Sequence, residues 1–101
     1  MIQIKKYISR EEALEQIMEK DKDYTLIRHD FKAGEIIKSH KHPVDEWVIF
    51  DSGGCEISLG LESELIGADN NLAVSIYLPR NQKHGLKCLT NISYWVLRKT
   101  R

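Results

Sequence analysis

A chain of 101 residues suffices for one compact domain and is too short for two with separate cores. Its hydrophobic fraction of 42% and charged fraction of 30% describe a globular protein and exclude the disordered and membrane-spanning classes. Lys plus Arg number 15 and Asp plus Glu number 15, and no basic stripe of the kind that neutralises phosphates stands out, so nucleic acid is not an expected partner.

No stretch approaches the roughly 18 apolar residues that cross a bilayer, and the start of the chain lacks the apolar core of a signal peptide, which together predict a cytoplasmic protein with no membrane partner. Residues 1–8 alternate Ile2, Ile4 and Lys6 with Gln3, Lys5 and Tyr7, the pattern of a short strand whose free edge could pair with another chain. Ser9 followed by Glu12 is a capping box, and Ala13, Leu14, Ile17 and Met18 fall on one stripe of an amphipathic helix running to about Lys20.

From Asp23 the texture changes to short β-rich runs, and seven strands are expected: Tyr24–Phe31, Ile36–Lys41, Trp47–Phe50, Cys55–Gly60, Leu72–Leu78, Leu86–Leu89 and Ile92–Leu97. Turn chemistry separates them at 32–34, 43–45, 51–54, 67–71, 79–81 and 90–91. Residues 60–71 are the least regular, with 61–65 forming either a turn or an edge strand. The expectation is a single all-β domain over 1–101, with an N-terminal strand and helix (1–22) preceding a small barrel (23–101).

Three histidines fall where a metal site would be built. His40 and His42, two apart on a strand, share a face, and the turn at Pro43-Val44-Asp45 allows Glu46 to return from the next strand as a hard oxygen ligand. His84 follows a second turn and completes the set. Cys55 and Cys88 are not in a close-spaced metal motif and read as buried, reduced thiols.

These residues resemble the cupin superfamily. Gly34, His40, His42, Glu46 and Gly53 fill every fixed place of its first motif: Gly, five residues, His, one, His, three or four, Glu, six, Gly. The second motif is partial: Pro79 and His84 match, while Ala73, Asn81 and Cys88 stand where Gly, Gly and Asn would be. Asn81 is the mild departure, since Asn tolerates the left-handed backbone. The resemblance spans about residues 24–97 and implies a jelly-roll-like barrel, usually dimeric, holding one divalent metal ion with His40, His42, Glu46 and His84. Iron, manganese, nickel and zinc all suit such ligands. It further implies open coordination positions for a small-molecule ligand or substrate.

Other residues carry weaker expectations. His29 shares the parity of Ile27 and Phe31 and is either a core histidine or a contact inside the barrel. Lys38 has the parity of His40 and is either a surface lysine or a cation in the mouth. Arg80 is read in the same way. Cys88 packs or faces the cavity; of Tyr94 and Trp95, at most one looks inward. The basic cluster Arg98, Lys99 and Arg101 reads as a solvated tail. A metal-dependent enzyme on a small oxygen-bearing molecule and a non-catalytic binding or sensing module are the two functions in contention. A purely structural metal is a third, disfavoured because structural zinc sites are closed and rich in Cys. A protonatable group near the metal would separate the first two, and His29, Lys38, Tyr77, Tyr94 and Cys88 are the candidates.

Overall fold

The computed structural model describes residues 2–19, 23–68 and 72–100. After β1 (Gln3–Tyr7) comes α1 (Arg10–Met18), then β2 (Tyr24–Phe31), β3 (Ile36–His40), β4 (Glu46–Phe50), β5 (Gly54–Leu59), β6 (Glu62–Gly67), β7 (Ala73–Leu78), β8 (His84–Cys88) and β9 (Ile92–Lys99). All ladders are antiparallel, in a sheet of order β1-β7-β4-β9-β2 and a second of order β3-β8-β5-β6.

Period-2 alternation builds the interior. Val48 and Phe50, Val74, Ile76 and Leu78, and Ile92, Tyr94 and Val96 turn one way from the first sheet to meet Cys55, Ile57 and Leu59 with Leu86 and Cys88 from the second. The alternate residues Ile49, Ala73 and Leu97 turn the other way into a second apolar layer beneath α1, where Ala13 is fully buried. β4 is therefore covered on both faces, which is why it reads as the near-continuous run Trp47-Val48-Ile49-Phe50.

The helix is capped as its sequence suggests. Ser9 Oγ accepts from Glu12 N at 3.1 Å, while the Glu12 carboxylate accepts from Ile8 N at 2.7 Å, one residue before the cap. Leu14, Ile17 and Met18 pack on the layer around Trp47. β1 pairs with β7 of its own chain and forms one edge of the first sheet.

Six of the seven expected strands keep their place with an end moved by one or two residues, and the run read as a turn or an edge strand is an edge strand. The run 62–67 is an edge strand paired to β5, with Ile66 its one buried residue, so no alternation marks it. β8 begins at His84 rather than Leu86, and β9 runs two residues past Leu97. Both extensions carry side chains that matter at the open end of the barrel.

Candidate metal centre

His40 is the last residue of β3 and sits opposite His84, the first of β8. The register between Ile37 and His40 is broken by a bulge, so three residues rather than two separate these positions. Ile37 and His40 both line the interior cavity, and the extra residue is what lets them do so. It also cancels the parity argument for Lys38, which is exposed on the outer face beside Ser39, Glu56 and Lys87. The Lys38 carbonyl instead accepts from His40 Nδ1 at 2.7 Å, leaving His40 Nε2 as the free nitrogen.

Gly85 makes this corner possible. A Cβ there would stand 3.0 Å from Ser58 Oγ, 3.1 Å from the Ile37 carbonyl and 3.3 Å from Ser39 N, so glycine lets the bulge of β3 lie this close to β8 without its backbone shifting.

His42 lies in the connection 41–45, beyond the end of β3, so the two-apart strand argument does not place it. Its backbone does: Asn81 N donates to the His42 carbonyl at 2.7 Å. Asn81 itself is left-handed at φ 61, the conformation that the Gly of the motif would take. Asp45 braces the same connection by accepting from Tyr77 Oη and from Arg80 N, each at 2.9 Å. That fixes Arg80 as a turn residue and turns Tyr77 away from the cavity.

The structure brings His40, His42 and His84 together, with one ring nitrogen of each lying within 4.8 Å of the others. Nitrogens bound at ~2.1 Å to one ion are separated by roughly 3 to 4.2 Å, so the group needs little contraction to close on one. Glu46 Oε1 joins them, 3.3 Å from His84 Nε2 and 3.5 Å from His42 Nε2. Nitrogen and carboxylate oxygen facing one another like this call for a proton or a cation between them, so the donor set fits a divalent ion. His84 Nδ1 is buried without a hydrogen-bond partner among the described residues, and its other nitrogen is the one that faces Glu46.

The charges are arranged to keep these ligands in their binding forms. Burial pulls His42 below its ordinary value, outweighing the opposite pull of Glu46, and Arg98, His40 and His84 lower it further; the imidazole is neutral at pH 7. Burial alone would raise the Glu46 carboxyl, but contacts with His84 and Arg98 and the Arg98 charge hold it below the usual range.

Arg98 was not visible as a site residue in the sequence. Its Nε meets Glu46 Oε2 at 2.6 Å, and it lines the cavity rather than trailing as part of a basic tail. The signal was there: Ile92, Tyr94 and Val96 face inward, and Arg98 continues the count once the strand is extended. Lys99 donates its backbone N–H to the Asp45 carbonyl at 2.9 Å, and Arg101 lies outside the described residues.

The cavity above the cluster encloses about 260 Å³. Phe31 and Tyr94 stack on one another along one wall of it, 5.0 Å apart and 8° from parallel, and His29 leans on both at 5.5 and 5.7 Å. His29 thus lines the mouth and is exposed. Cys88 does not reach the cavity; it is packed in the core opposite Cys55, where burial raises its thiol. Trp47 and Trp95 belong to the outer layer under α1, so Tyr94 is the inward one of its pair.

Two crossed antiparallel sheets enclosing such a cluster are the cupin barrel, and the chain has that fold. No protein-family model matches the sequence, and no curated protein does either. Among solved structures it is similar to an RmlC-like cupin from Shewanella frigidimarina, at 15% identity and a TM-score of 0.67, over 78% of this chain and 68% of that one. A conserved protein of unknown function from Streptococcus pyogenes matches 100% of this chain and 75% of its own, at 16% identity and TM-score 0.67. A third, oxalate decarboxylase from Bacillus subtilis, a protein with Mn(II) centres, matches 84% of this chain but 23% of its own, at 15% identity and TM-score 0.66. At such identities the likeness is one of fold.

Proposed function

We propose that this cupin binds one divalent metal ion through His40, His42, His84 and Glu46 and acts on a small oxygen-bearing organic molecule in the cavity above it. The observation that carries the reading is the convergence of three imidazole nitrogens within 4.8 Å on the lining of a cavity of about 260 Å³. A metal held there would supply Lewis-acid or dioxygen chemistry, and imidazole with carboxylate suits iron, manganese, nickel or zinc. The Mn(II) centres of the oxalate decarboxylase keep manganese in that set.

The chain's own groups divide the remaining work. Arg98 fixes the Glu46 carboxylate so that one oxygen faces the histidines. The cavity wall is predominantly apolar, and His29 lies against its Phe31 and Tyr94 rings. A binding or sensing module is the second reading, favoured by the predominantly apolar lining, which offers few proton carriers. In the same proposal the protein is a cytoplasmic homodimer: Cys55 and Cys88 are free, as a reducing compartment requires, and β1 presents an edge with Ile4 exposed.

The test is metal content by plasma mass spectrometry of tag-free protein beside a His40→Ala/His42→Ala variant. Near-stoichiometric metal in the first and little in the second is expected; no metal in either, after reconstitution, would sink the proposal. A monomeric mass by light scattering would remove the dimer.

A further inference from the structure

We infer that the ligand of this cavity is a monocarboxylate with a compact apolar body, its carboxylate held by Arg98 on the open side of the histidine cluster and its body against Phe31 and Tyr94. The inference rests on the metal-binding proposal for part of its charge balance but not for its geometry.

Charge sets the headgroup. Glu46 and Arg98 balance one another, so a divalent ion bound by the imidazoles would add two positive charges beside an apolar cavity. A buried charge of that size is costly unless an anion meets it. Arg98 offers the means to orient one. A guanidinium has five N–H donors in a planar fork, and Nε is the one spent on Glu46; the others meet no acceptor among the described residues. Carboxylate is the group this fork matches best.

The walls set the body. Ile37, Val48, Ile57 and Leu86 join Phe31 and Tyr94 around the cavity, with no second cation beside Arg98 among its lining residues. A dicarboxylate or a sugar would bury polar groups against these side chains without partners. A dry cavity of roughly 150 Å³ takes benzene, so about 260 Å³ takes a molecule of about ten non-hydrogen atoms. The parallel Phe31 and Tyr94 rings, with His29 against both, present a flat wall suited to a planar ring.

The probes are benzoate and benzamide, alike in shape and different in charge, titrated by calorimetry into the manganese-reconstituted and the metal-free protein. Benzoate should bind both forms at least about tenfold more tightly than benzamide, with the larger preference in the reconstituted form. Arg98→Met should erase the preference in the metal-free form; Arg98→Lys, which keeps the charge, should retain part of it. Equal affinities for the two probes in the wild type, or a preference untouched by Arg98→Met, would overturn the inference. A benzoate preference in a protein that takes up no metal would defeat the metal proposal and leave this one standing; metal uptake with equal affinities would do the reverse.

Discussion

Glu46 and Arg98 are Cα partners across the β4–β9 ladder, and their side chains meet at 2.6 Å on the interior face of the sheet. The Glu46 side chain is 3% exposed and the Arg98 side chain 35%, so one partner is committed to the interior while the other reaches in from the rim. Removing Arg98 strands a carboxylate that cannot reach water. Arg98→Met should therefore cost about 2 kcal/mol in the metal-free protein, less than the 3–5 expected of a fully buried pair, and Arg98→Met/Glu46→Gln should recover most of it. Urea denaturation of the two variants decides the point; a single variant as stable as the wild type would contradict it.

Gly85→Ala should disturb the cluster without touching a ligand. The new methyl would press on the Ile37 carbonyl and on Ser39 N, the backbone that carries His40 into place. A loss of about 1–3 kcal/mol and of roughly tenfold in metal affinity is expected. Chelator competition against the wild type measures the second effect.

Asn81 separates two uses of one residue. At φ 61 it occupies a conformation costing most L-residues about 1–2 kcal/mol, and its N–H holds the His42 carbonyl. Asn81→Ala should destabilise by about 1 kcal/mol, while Asn81→Gly, which adopts this φ freely, should cost no more than a few tenths. Thermal unfolding at neutral pH distinguishes them, and equal losses would mean the side chain, not the backbone, matters.

Alkaline pH should weaken the fold. Burial, with Cys88 close by, pushes the Cys55 thiol from 9.0 up to about 12. The folded chain thus keeps a proton that the unfolded chain loses. The resulting stability is complete below pH 9.0, the unfolded value, and drains as pH rises toward about 12. Tyr94, likewise raised by burial, adds to the same slope above its ordinary 10.0. Denaturation midpoints in reducing buffer should fall from pH 9 upward, and Cys55→Ala should flatten the decline; a flat profile in the wild type would refute it.

Much of the barrel was legible because its strands bury one face and declare it by alternation, as in Val74, Ile76 and Leu78 or Ile92, Tyr94 and Val96. What escaped notice lacks that mark. The strand 62–67 buries Ile66 alone, so its sequence does not separate a turn from an edge strand. The bulge in β3 has no residue signature, and counting by twos through it leaves Lys38 open between the mouth and the surface, where it lies. The motif spacing gathered His40, His42, Glu46 and His84 onto one cluster even though His42 is not on a strand at all. Arg98 falls beyond an expected strand end that lies two residues early, just where a charged residue on an apolar face carries the most information.

The cluster draws on both sheets: His40 and His84 close one end of the four-stranded sheet, Glu46 and Arg98 the matching end of the five-stranded one, and His42 lies on the chain that crosses between them. Elsewhere the two sheets meet through apolar contacts, which tolerate sliding, whereas coordination and ion pairing fix distance. An ion gripped from both sides would thus act as a clasp at the mouth of the sandwich. Amide exchange in β3 and β8 would slow on loading.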